Sequence, residues 1–408
     1  MLRGDSCSVT VPLPAGRQAF RLASVPHRIG IANSFKREQP ELQNNARRGK
    51  GFSVNYRIML TPTVLSTTVK PLCPLFGTCG GCQYQDISYE EELSRKEVIL
   101  RELLAKELGL PQEVFEPITS SPEVYYYRNR LDLTLRKRNN GERQMGFMLP
   151  GTQRLQEVTH CSIARKEIND FLAVLKEEAV RKLPEDYKVA NLVVRVGDEG
   201  KVFWGGIGRR SLRMAEKDYF WTTVKGRKIF YALDTFFQAN LSILEKIVSR
   251  IEGLVAWQKD TVFLDLYSGV GLFGIALADR AKEVVMIEEV GDSVTLAKFN
   301  VSHHRLDNVK MLVGKVEAHL PEVLKELDGK SCVALIDPPR GGLAGSAIET
   351  LGQAKDLCAL FYLSCSPESL ARDLKHLAKV GWTVRKIMPF DFFPRTRHLE
   401  TLAWLERT

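Results

Sequence analysis

The chain has 408 residues, 44% of them hydrophobic, and a formal net charge of +9 at pH 7. This length and composition accommodate two or three domains with substantial cores and exclude a disordered polymer. Because there is no apolar run of about 18 residues and no apolar signal stretch within residues 1–21, we expect a cytoplasmic protein without membrane spans. The positive charge suits a polyanionic partner such as nucleic acid, although solubility explains it equally well.

Composition divides the chain into three regions. Met1–Arg57 contains ten Lys and Arg but three Asp and Glu, so residues 1–70 are predicted to form a basic N-terminal arm or a small domain. Residues 71–235 are predicted to form a central, β-rich domain. Residues 236–408 have the pattern of a catalytic α/β domain.

The central region has clear start and turn signals. Ser88-Tyr-Glu-Glu91 is a capping box, which predicts a helix over residues 88–107. We expect this helix to pack on the catalytic domain. Alternating hydrophobicity and turn residues predict two hairpins, one pairing residues 131–136 with 144–148 and the other pairing residues 191–196 with 201–204. A second helix is predicted over Ile163–Lys182.

From residue 236 onward the pattern alternates between strand, glycine loop and helix. This alternation predicts a doubly wound, Rossmann-like α/β sheet, in which ligands bind at the carboxyl ends of the strands. The predicted strands are Thr261–Leu266, Glu283–Glu288, Cys332–Asp337 and Leu360–Ser364.

A glycine loop follows the first of these strands, in Asp265-Leu-Tyr-Ser-Gly-Val-Gly271. Its glycines permit a tight turn and the close approach of a ligand to the backbone. Glu288 ends the next strand, where a carboxylate can accept both hydroxyl groups of a ribose. Gly269, Gly271 and Gly274 have the G-x-G-x-x-G spacing of the dinucleotide fingerprint, but a lone match of this kind is weak evidence for NAD. Because Asp265 begins the loop and Glu288 ends the next strand, S-adenosylmethionine is favoured over NAD, and a purely structural turn is the remaining alternative.

Asp337-Pro-Pro-Arg340 ends another strand and is a second indication of a ligand site. Each proline ring fixes φ, so a rigid wall follows the carboxylate. Such a wall suits a flat base held against a methyl donor. The same residues would be unremarkable in an ordinary turn.

Cys365 follows an apolar strand and is a candidate nucleophile. A thiolate adds readily to C6 of a pyrimidine, and the addition makes C5 nucleophilic towards a sulfonium methyl group. A base must then remove the C5 proton. His398 and Glu400 are candidates for that base, and alternation would place both on one face of a strand. The alternative for Cys365 is an inert buried cysteine. The alternative for His398 and Glu400 is an ordinary surface strand.

A second, separate cysteine set indicates metal binding. In a reducing compartment, eight cysteines favour metal ligation and catalysis over disulfides. One four-iron cluster can be held by four thiolates, and tetrahedral zinc is the alternative. The cysteines of this set are Cys73, Cys79, Cys82 and Cys161.

These motifs together resemble the bacterial RNA uridine-C5 methyltransferases. The resemblance is nearest to the iron–sulfur enzymes that make 5-methyluridine in 23S ribosomal RNA, and it covers about residues 71–408 in order. The motifs that carry it are Cys73-x5-Cys79-Gly-Gly-Cys82, Phe237-Gln-Ala-Asn240, Asp265-Leu-Tyr-Ser-Gly-Val-Gly271, Asp337-Pro-Pro-Arg340, Ser364-Cys-Ser-Pro367 and Asp391-Phe-Phe-Pro-Arg-Thr-Arg-His-Leu-Glu400.

The resemblance implies a fold and a role for each matching residue. The fold is a Rossmann-like S-adenosylmethionine-dependent methyltransferase domain beside a smaller β-rich, RNA-binding domain at residues 71–235 that carries an iron–sulfur loop. Cys365 would be the nucleophile, and Glu400 would remove the proton. The residues that would contact S-adenosylmethionine are Gln238, Tyr267, Glu288 and Asp337. The ligands of the [4Fe-4S] cluster would be Cys73, Cys79, Cys82 and Cys161.

The chain departs from the family pattern in two places. Ser268 stands where the family usually has Cys, which should not affect the chemistry. Residues 1–70 lack the pattern of the small β-barrel RNA-binding domain with which many members begin. Tyr125-Tyr-Tyr-Arg-Asn-Arg130 offers aromatic and basic groups that could stack bases and bind phosphates, and the alternative is a strand with core tyrosines.

The expected protein is a monomeric enzyme that acts on RNA, with ribosomal RNA as the leading substrate. A transfer RNA 5-methyluridine methyltransferase shares the chemistry, but the common bacterial version lacks the cluster cysteines. A non-catalytic iron–sulfur RNA-binding protein would not need an intact Cys365 and Glu400. A thiol-redox enzyme is disfavoured, because no C-x-x-C partner lies near Cys365.

Overall fold

The computed structural model describes residues 68–206, 214–327 and 329–407. The predicted N-terminal region, residues 1–70, lies outside this part of the chain except for residues 68–70. Within the described residues, no helix is both long and apolar enough to span a membrane.

The first helix, α1, spans Tyr89–Leu108 and begins at the predicted capping box. Ser88 Oγ accepts a hydrogen bond of 3.2 Å from the Glu91 amide, which satisfies one free amide of the first turn. The Glu91 carboxylate pairs with the following helical turn instead of returning to Ser88. The helix ends at Gly109, whose φ of 64° suits glycine. A short 3₁₀ helix, Gln112–Val114, follows.

A five-stranded antiparallel sheet forms most of the central region. Its strands are β1 (Arg130–Lys137), β2 (Arg143–Met148), β3 (Leu155–Glu157), β4 (Val189–Val196) and β5 (Val202–Gly206). They are hydrogen-bonded in the order β3-β2-β1-β4-β5, and α2 (Lys166–Lys182) packs against the sheet. Both predicted hairpins are confirmed, because β1 pairs with β2 and β4 pairs with β5.

A two-stranded hairpin, β6 (Phe220–Val224) and β7 (Arg227–Tyr231), follows a 3₁₀ helix at Glu216–Asp218. Its buried residues belong to the same core cluster as Phe263 in the C-terminal region. The core therefore extends across residue 235, where the composition of the sequence changes.

A seven-stranded sheet lies at the centre of the C-terminal region. Its strands are β8 (Val262–Leu266), β9 (Glu283–Glu288), β10 (Val309–Val313), β11 (Cys332–Ile336), β12 (Leu357–Ser364), β13 (Trp382–Phe390) and β14 (Glu400–Arg407). The order is β10-β9-β8-β11-β12-β14-β13. The first five strands are parallel, whereas β14 runs antiparallel to both of its neighbours. The predicted doubly wound α/β sheet is confirmed, with an antiparallel pair added at one edge.

Helices cover both faces of this sheet, because alternate strand residues enter two different cores. Phe263 belongs to one cluster and Leu264 to the other. The first cluster takes residues from α3 (Leu244–Leu254), α4 (Leu272–Ala276), a 3₁₀ helix (Ala278–Arg280) and α5 (Gly291–His303). The second takes residues from α1, α6 (Val316–Glu326), α7 (Gly345–Gln353) and α8 (Pro367–Lys379). Helix α1 is thus part of the C-terminal core and contacts α8.

Candidate active site

The carboxyl ends of three parallel strands bring predicted site residues to one edge of the sheet. Asp265 lies near the end of β8, Glu288 ends β9, and Asp337 directly follows β11. The pairing register keeps these strand ends level. In an α/β sheet this edge is where ligands bind.

Asp265 is a buried carboxylate beneath the glycine loop. Its Oδ2 accepts a 2.7 Å hydrogen bond from the Gly274 amide, while its Oδ1 has no partner among the described residues. Burial raises the pKa of Asp265 to about 7. A Cβ on Gly274 would lie 2.7 Å from Met286 Sδ, so glycine allows the helix that follows the loop to approach this close.

Glu288 holds the glycine loop from the neighbouring strand. Its carboxylate accepts hydrogen bonds from the amides of Gly269 at 2.9 Å and Val290 at 2.8 Å. Gly269 and Gly271 have φ values of 55° and 87°, a region that favours glycine. Each carboxylate oxygen keeps a lone pair with which it can accept a hydroxyl of a ligand.

Tyr267 lies in the same loop with a φ of 63°, which is unusual for a residue with a side chain. Its hydroxyl donates a 2.9 Å hydrogen bond to Glu317 Oε1. Burial, and then the adjacent Glu317, raise the pKa of the Tyr267 phenol. Backbone strain of this kind is concentrated at functional sites, where the surrounding structure maintains it.

Gln238 is buried in the loop that follows β7. The main-chain carbonyl oxygen of Gln238 accepts a 3.1 Å hydrogen bond from Asn129 Nδ2. Among the described residues, Gln238 makes no hydrogen bond to Tyr267, Glu288 or Asp337. Tyr267, Glu288 and Asp337 lie at or just after the carboxyl ends of the parallel strands, and Gln238 lies on the loop that follows β7.

Phe236 in that loop was not singled out from the sequence, yet its side chain is 70% exposed. The loop is braced by the fully buried Arg195, which donates to the carbonyl oxygens of Ala232 and Thr235. Phe237 instead stacks inside the core on Tyr231. The pair of adjacent aromatic residues was visible in the sequence, but which of the two faces outward was not.

Cys365 and Glu400 are neighbours across two strands. Ser364 lies opposite Thr401 in the antiparallel pair β12–β14, so the next residue on each strand extends the same register. Burial, and then the charge of Glu400, raise the pKa of the Cys365 thiol, whereas Arg340 lowers it. The sequence motif contained Arg340 without indicating that it faces the candidate nucleophile.

The Glu400 carboxyl is almost completely buried, with the whole residue 5% exposed. Burial, and then the nearby Asp337, raise the pKa of Glu400 well above its ordinary value, while Arg340 opposes this shift. Burial and Asp265 raise the pKa of Asp337 to about 7. The edge of the sheet therefore holds several carboxyl groups that interact with one another, which is typical of functional sites.

The prediction that His398 shares a strand face with Glu400 is wrong. Strand β14 begins at Glu400, and the His398 amide donates a 3.2 Å hydrogen bond to Thr396 Oγ1 within a turn. The turn interrupts the extended backbone that alternation requires. Burial, and then the charge of Arg340, lower the pKa of the half-buried His398.

All four cysteines of the predicted metal site line one cavity of about 400 Å³. Arg340, Thr396 and His398 line it as well, so the cavity reaches the candidate catalytic residues. Among the described residues, no group of three or more His, Cys, Asp and Glu side chains is close enough to hold a single metal ion. Tetrahedral zinc needs sulfur atoms about 2.3 Å from the metal, so zinc would require these thiols to move together.

Cys82 has the most perturbed thiol of the four. Burial raises its pKa to about 12, with smaller contributions from the other three cysteines. The buried Gln85 side chain faces this thiol and lowers its pKa. Gln85 Oε1 accepts a 2.9 Å hydrogen bond from the Cys73 amide, whereas Gln85 Nε2 has no partner among the described residues. A buried N–H donor thus remains available beside the cysteines.

The Tyr125–Arg130 segment joins the central sheet to the C-terminal region. Tyr127 is 1% exposed, and its hydroxyl donates a 3.0 Å hydrogen bond to the Pro394 carbonyl oxygen, so it cannot stack on a base. Asn129 is buried against Gln238. The alternative of a core tyrosine is correct for Tyr127, but the strand that this alternative included begins only at Arg130.

Comparison with known proteins shows what this chain is similar to. A family model described as tRNA (Uracil-5-)-methyltransferase matches residues 207–408. The 23S rRNA (uracil(1939)-C(5))-methyltransferase RlmD of Aliivibrio fischeri is 29% identical over 364 residues, which cover 83% of this chain and 82% of the relative. An uncharacterised RNA methyltransferase of Thermosynechococcus vestitus is 29% identical over 385 residues, covering 83% and 84% of the two chains.

The fold also has a solved counterpart. The Pyrococcus abyssi tRNA (uracil-54, C5)-methyltransferase, in complex with S-adenosyl-L-homocysteine, superimposes with a TM-score of 0.63 and 24% sequence identity. The match covers 80% of this chain and 85% of that one. The match to the family model and the relatives show that the chain is an S-adenosylmethionine-dependent RNA (uracil-5-)-methyltransferase, which sets aside the NAD-binding and non-catalytic alternatives.

Proposed function

We propose that this enzyme methylates C5 of a specific uridine in 23S ribosomal RNA through a covalent bond between Cys365 and C6 of the base. The observation that carries the proposal is the pairing of Cys365 with Glu400 at the strand edge that also holds the glycine loop. The substrate class follows the relative from Aliivibrio fischeri, which acts on 23S rRNA.

The strand ends fit a cationic, ribose-bearing cofactor. Glu288 would accept hydrogen bonds from ribose hydroxyls, since the loop amides already fix its carboxylate. Asp265 Oδ1 is buried and has no partner among the described residues. Asp337 is close enough for the Asp265 charge to raise its pKa. Tyr267 and Gln238 would complete the contacts. S-adenosylmethionine, when bound, supplies an electrophilic methyl group and a positive charge that these carboxylates would stabilise.

Cys365 would attack C6 of the uracil ring as its thiolate. The Arg340 guanidinium favours this form, because its positive charge lowers the pKa of the thiol and offsets part of the effect of burial. Addition moves the C5–C6 double-bond electrons towards C5 and the C4 carbonyl oxygen. C5 thereby becomes the nucleophile that accepts the methyl group.

Glu400 would then remove the C5 proton, after which the C5–C6 double bond re-forms and the Cys365 thiolate leaves. The raised pKa of Glu400 makes its carboxylate a stronger base than an exposed glutamate. Its position beside Cys365 in the sheet register supports this assignment, because both groups must reach adjacent carbons of one ring. His398 lies in the preceding turn and is the secondary candidate.

We further propose that Cys73, Cys79, Cys82 and Cys161 bind a [4Fe-4S] cluster. The observations that support it are the shared cavity, the mutual effects of the thiols and the unpaired Gln85 Nε2, which could donate to a sulfur atom. Zinc remains the competing occupant. Cysteine thiolates gathered in a low-dielectric site need a cationic partner, and either metal centre would provide one.

The target base has to leave its stack to reach Cys365. The exposed Phe236 is the candidate surface on which a neighbouring base would stack, because an exposed aromatic ring can stack on any of the four bases. The net charge of +9 supports binding of the RNA backbone.

Mapping of 5-methyluridine in 23S rRNA and in tRNA, in cells with and without this protein, tests the proposal. We expect one 23S position to lose its methyl group when the protein is absent. A loss confined to tRNA would favour the second candidate, a transfer RNA methyltransferase, which the family description and the Pyrococcus abyssi structure support.

A further inference from the structure

The turn formed by residues 393–398 precedes Glu400 and is held mainly from the central region. Lys96 Nζ donates a 3.1 Å hydrogen bond to the Phe393 carbonyl oxygen, and the Tyr127 hydroxyl donates one of 3.0 Å to that of Pro394. Lys96 is itself buried, and Glu92 and Asp391 neutralise its charge, each at 2.7 Å. The turn is therefore fixed by groups nearly 300 positions away in sequence.

Arg395 is the strained residue of the 393–398 turn, with a φ of 68°. Its carbonyl oxygen accepts hydrogen bonds from the amides of Gln83 at 2.9 Å and Tyr84 at 3.2 Å. Its guanidinium returns hydrogen bonds to the carbonyl oxygens of Tyr84 and Ile87. A side chain in this backbone region persists only when its surroundings enforce it, and here residues 83–87 do so.

Gln83 adds a side-chain link from the cysteine loop to the same turn. Its Oε1 accepts a 3.0 Å hydrogen bond from the Arg397 amide, and its Nε2 donates one of 2.8 Å to the Gly80 carbonyl oxygen. Gly80 lies between Cys79 and Cys82. The Gln83 residue is exposed, so its side chain does not serve to fill a core.

We propose that Gln83 is a positioning residue that couples the cysteine loop to the 393–398 turn and thereby sets the approach of Glu400 to the substrate base. This inference rests on the proposed role of Glu400. Arg397 is followed directly by His398, and Glu400 begins β14 two residues later. Releasing the Arg397 amide would loosen the segment just before Glu400, while Cys365, which directly follows β12, would stay in place.

Three variants separate this link from the general folding of the loop. Gln83→Met keeps the length of the side chain and removes both the acceptor for Arg397 and the donor to Gly80. Gln83→Glu keeps an oxygen that can accept from Arg397. Thr78→Ala is the matched control, because Thr78 is exposed and, among the described residues, its hydroxyl donates only to the Leu75 carbonyl oxygen within the cysteine loop.

Two readouts are measured for each variant. The first is amide hydrogen exchange of the peptide that contains residues 393–399, followed by mass spectrometry. The second is single-turnover reaction with RNA, in which released methylated product is separated from denaturation-resistant protein–RNA adduct.

We expect Gln83→Met to speed exchange in the 393–399 peptide and to slow product release about tenfold, with more adduct trapped and an unchanged KM for S-adenosylmethionine. Gln83→Glu and Thr78→Ala should remain close to wild type. Wild-type exchange in Gln83→Met, or equal effects in Thr78→Ala, would overturn the proposal. If the wild-type protein methylates no RNA, the proposed function fails, and the exchange comparison alone decides whether Gln83 holds the turn.

Discussion

Cys365 and Glu400 lie side by side because β12 and β14 are antiparallel neighbours with Ser364 opposite Thr401. One residue follows the end of its strand and the other begins its strand. A parallel neighbour would have required a crossover to place a base beside the nucleophile. The antiparallel strand β14 therefore brings Glu400, the proposed base, beside Cys365, the proposed nucleophile.

Replacing Glu288 with Ala should weaken S-adenosylmethionine binding. Loss of a charge-assisted hydrogen bond to a ribose hydroxyl costs on the order of 1.5–3 kcal/mol, and the Gly269 amide also loses its acceptor. Calorimetry of the folded variant measures the change. Glu288→Gln, which retains an acceptor oxygen, should lose less, and equal affinity in wild type and Glu288→Ala would show that the cofactor lies elsewhere.

Purification without oxygen should give a brown protein with about four iron atoms per chain. Cys79→Ala should abolish the colour, because it removes one of the four proposed cluster ligands that line the cavity. Cys358→Ala is the control, since that cysteine is exposed and does not line the cavity. Stoichiometric zinc in a colourless protein would mean that the cluster assignment is wrong.

Gln85→Met should make the reduction potential of the cluster more negative. The buried Gln85 Nε2 is unpaired among the described residues, and a hydrogen bond from it to sulfur would stabilise the more negative, reduced state. Redox titration followed by electron paramagnetic resonance measures the potential. An unchanged potential at full iron content would show that Gln85 does not donate to the cluster.

The stability of the C-terminal region should fall as pH rises from about 4 towards 7. Burial raises the pKa of Asp265 to about 7, so the folded protein holds this proton more tightly than the unfolded chain does. The stabilisation is complete below the unfolded pKa and is lost as pH rises through the folded pKa, with a slope of up to about 1.4 kcal/mol per pH unit for one group.

Asp265→Asn should flatten this pH dependence while keeping an acceptor for the Gly274 amide. Asp170→Asn, on the exposed face of α2, is the control and should leave the slope unchanged. Urea unfolding at several pH values measures the slope. Identical slopes in wild type and Asp265→Asn would remove Asp265 as its source.

Local patterns predicted the parts of the site that depend on local structure. The strand ends at Asp265, Glu288 and Asp337 follow from apolar runs, and the cap at Ser88 follows from its own residue types. Each of these signals lies within a few residues of the feature that it specifies. The turn that places His398 outside β14 was not predicted, because Lys96, Tyr127 and Gln83 hold it from distant parts of the chain.

Contacts between distant segments could not be predicted in this way. The burial of Lys96 between Glu92 and Asp391 depends on packing of α1 against the C-terminal core. The aromatic and basic residues around Tyr127 suggested a base-stacking surface. The Tyr127 hydroxyl instead donates a hydrogen bond to the Pro394 carbonyl oxygen. The position of Arg340 beside Cys365 likewise depends on the order of strands in the sheet.

The most direct test of the account is the reaction of Glu400→Gln with RNA and labelled S-adenosylmethionine, followed by denaturing electrophoresis and mass spectrometry of the trapped peptide. Attack by Cys365 and methyl transfer precede proton removal, so this variant should accumulate an adduct in which Cys365 carries the methylated uridine. Cys365→Ala should give neither an adduct nor a methylated product. An adduct in Cys365→Ala, or rapid full turnover by Glu400→Gln, would contradict the assigned roles.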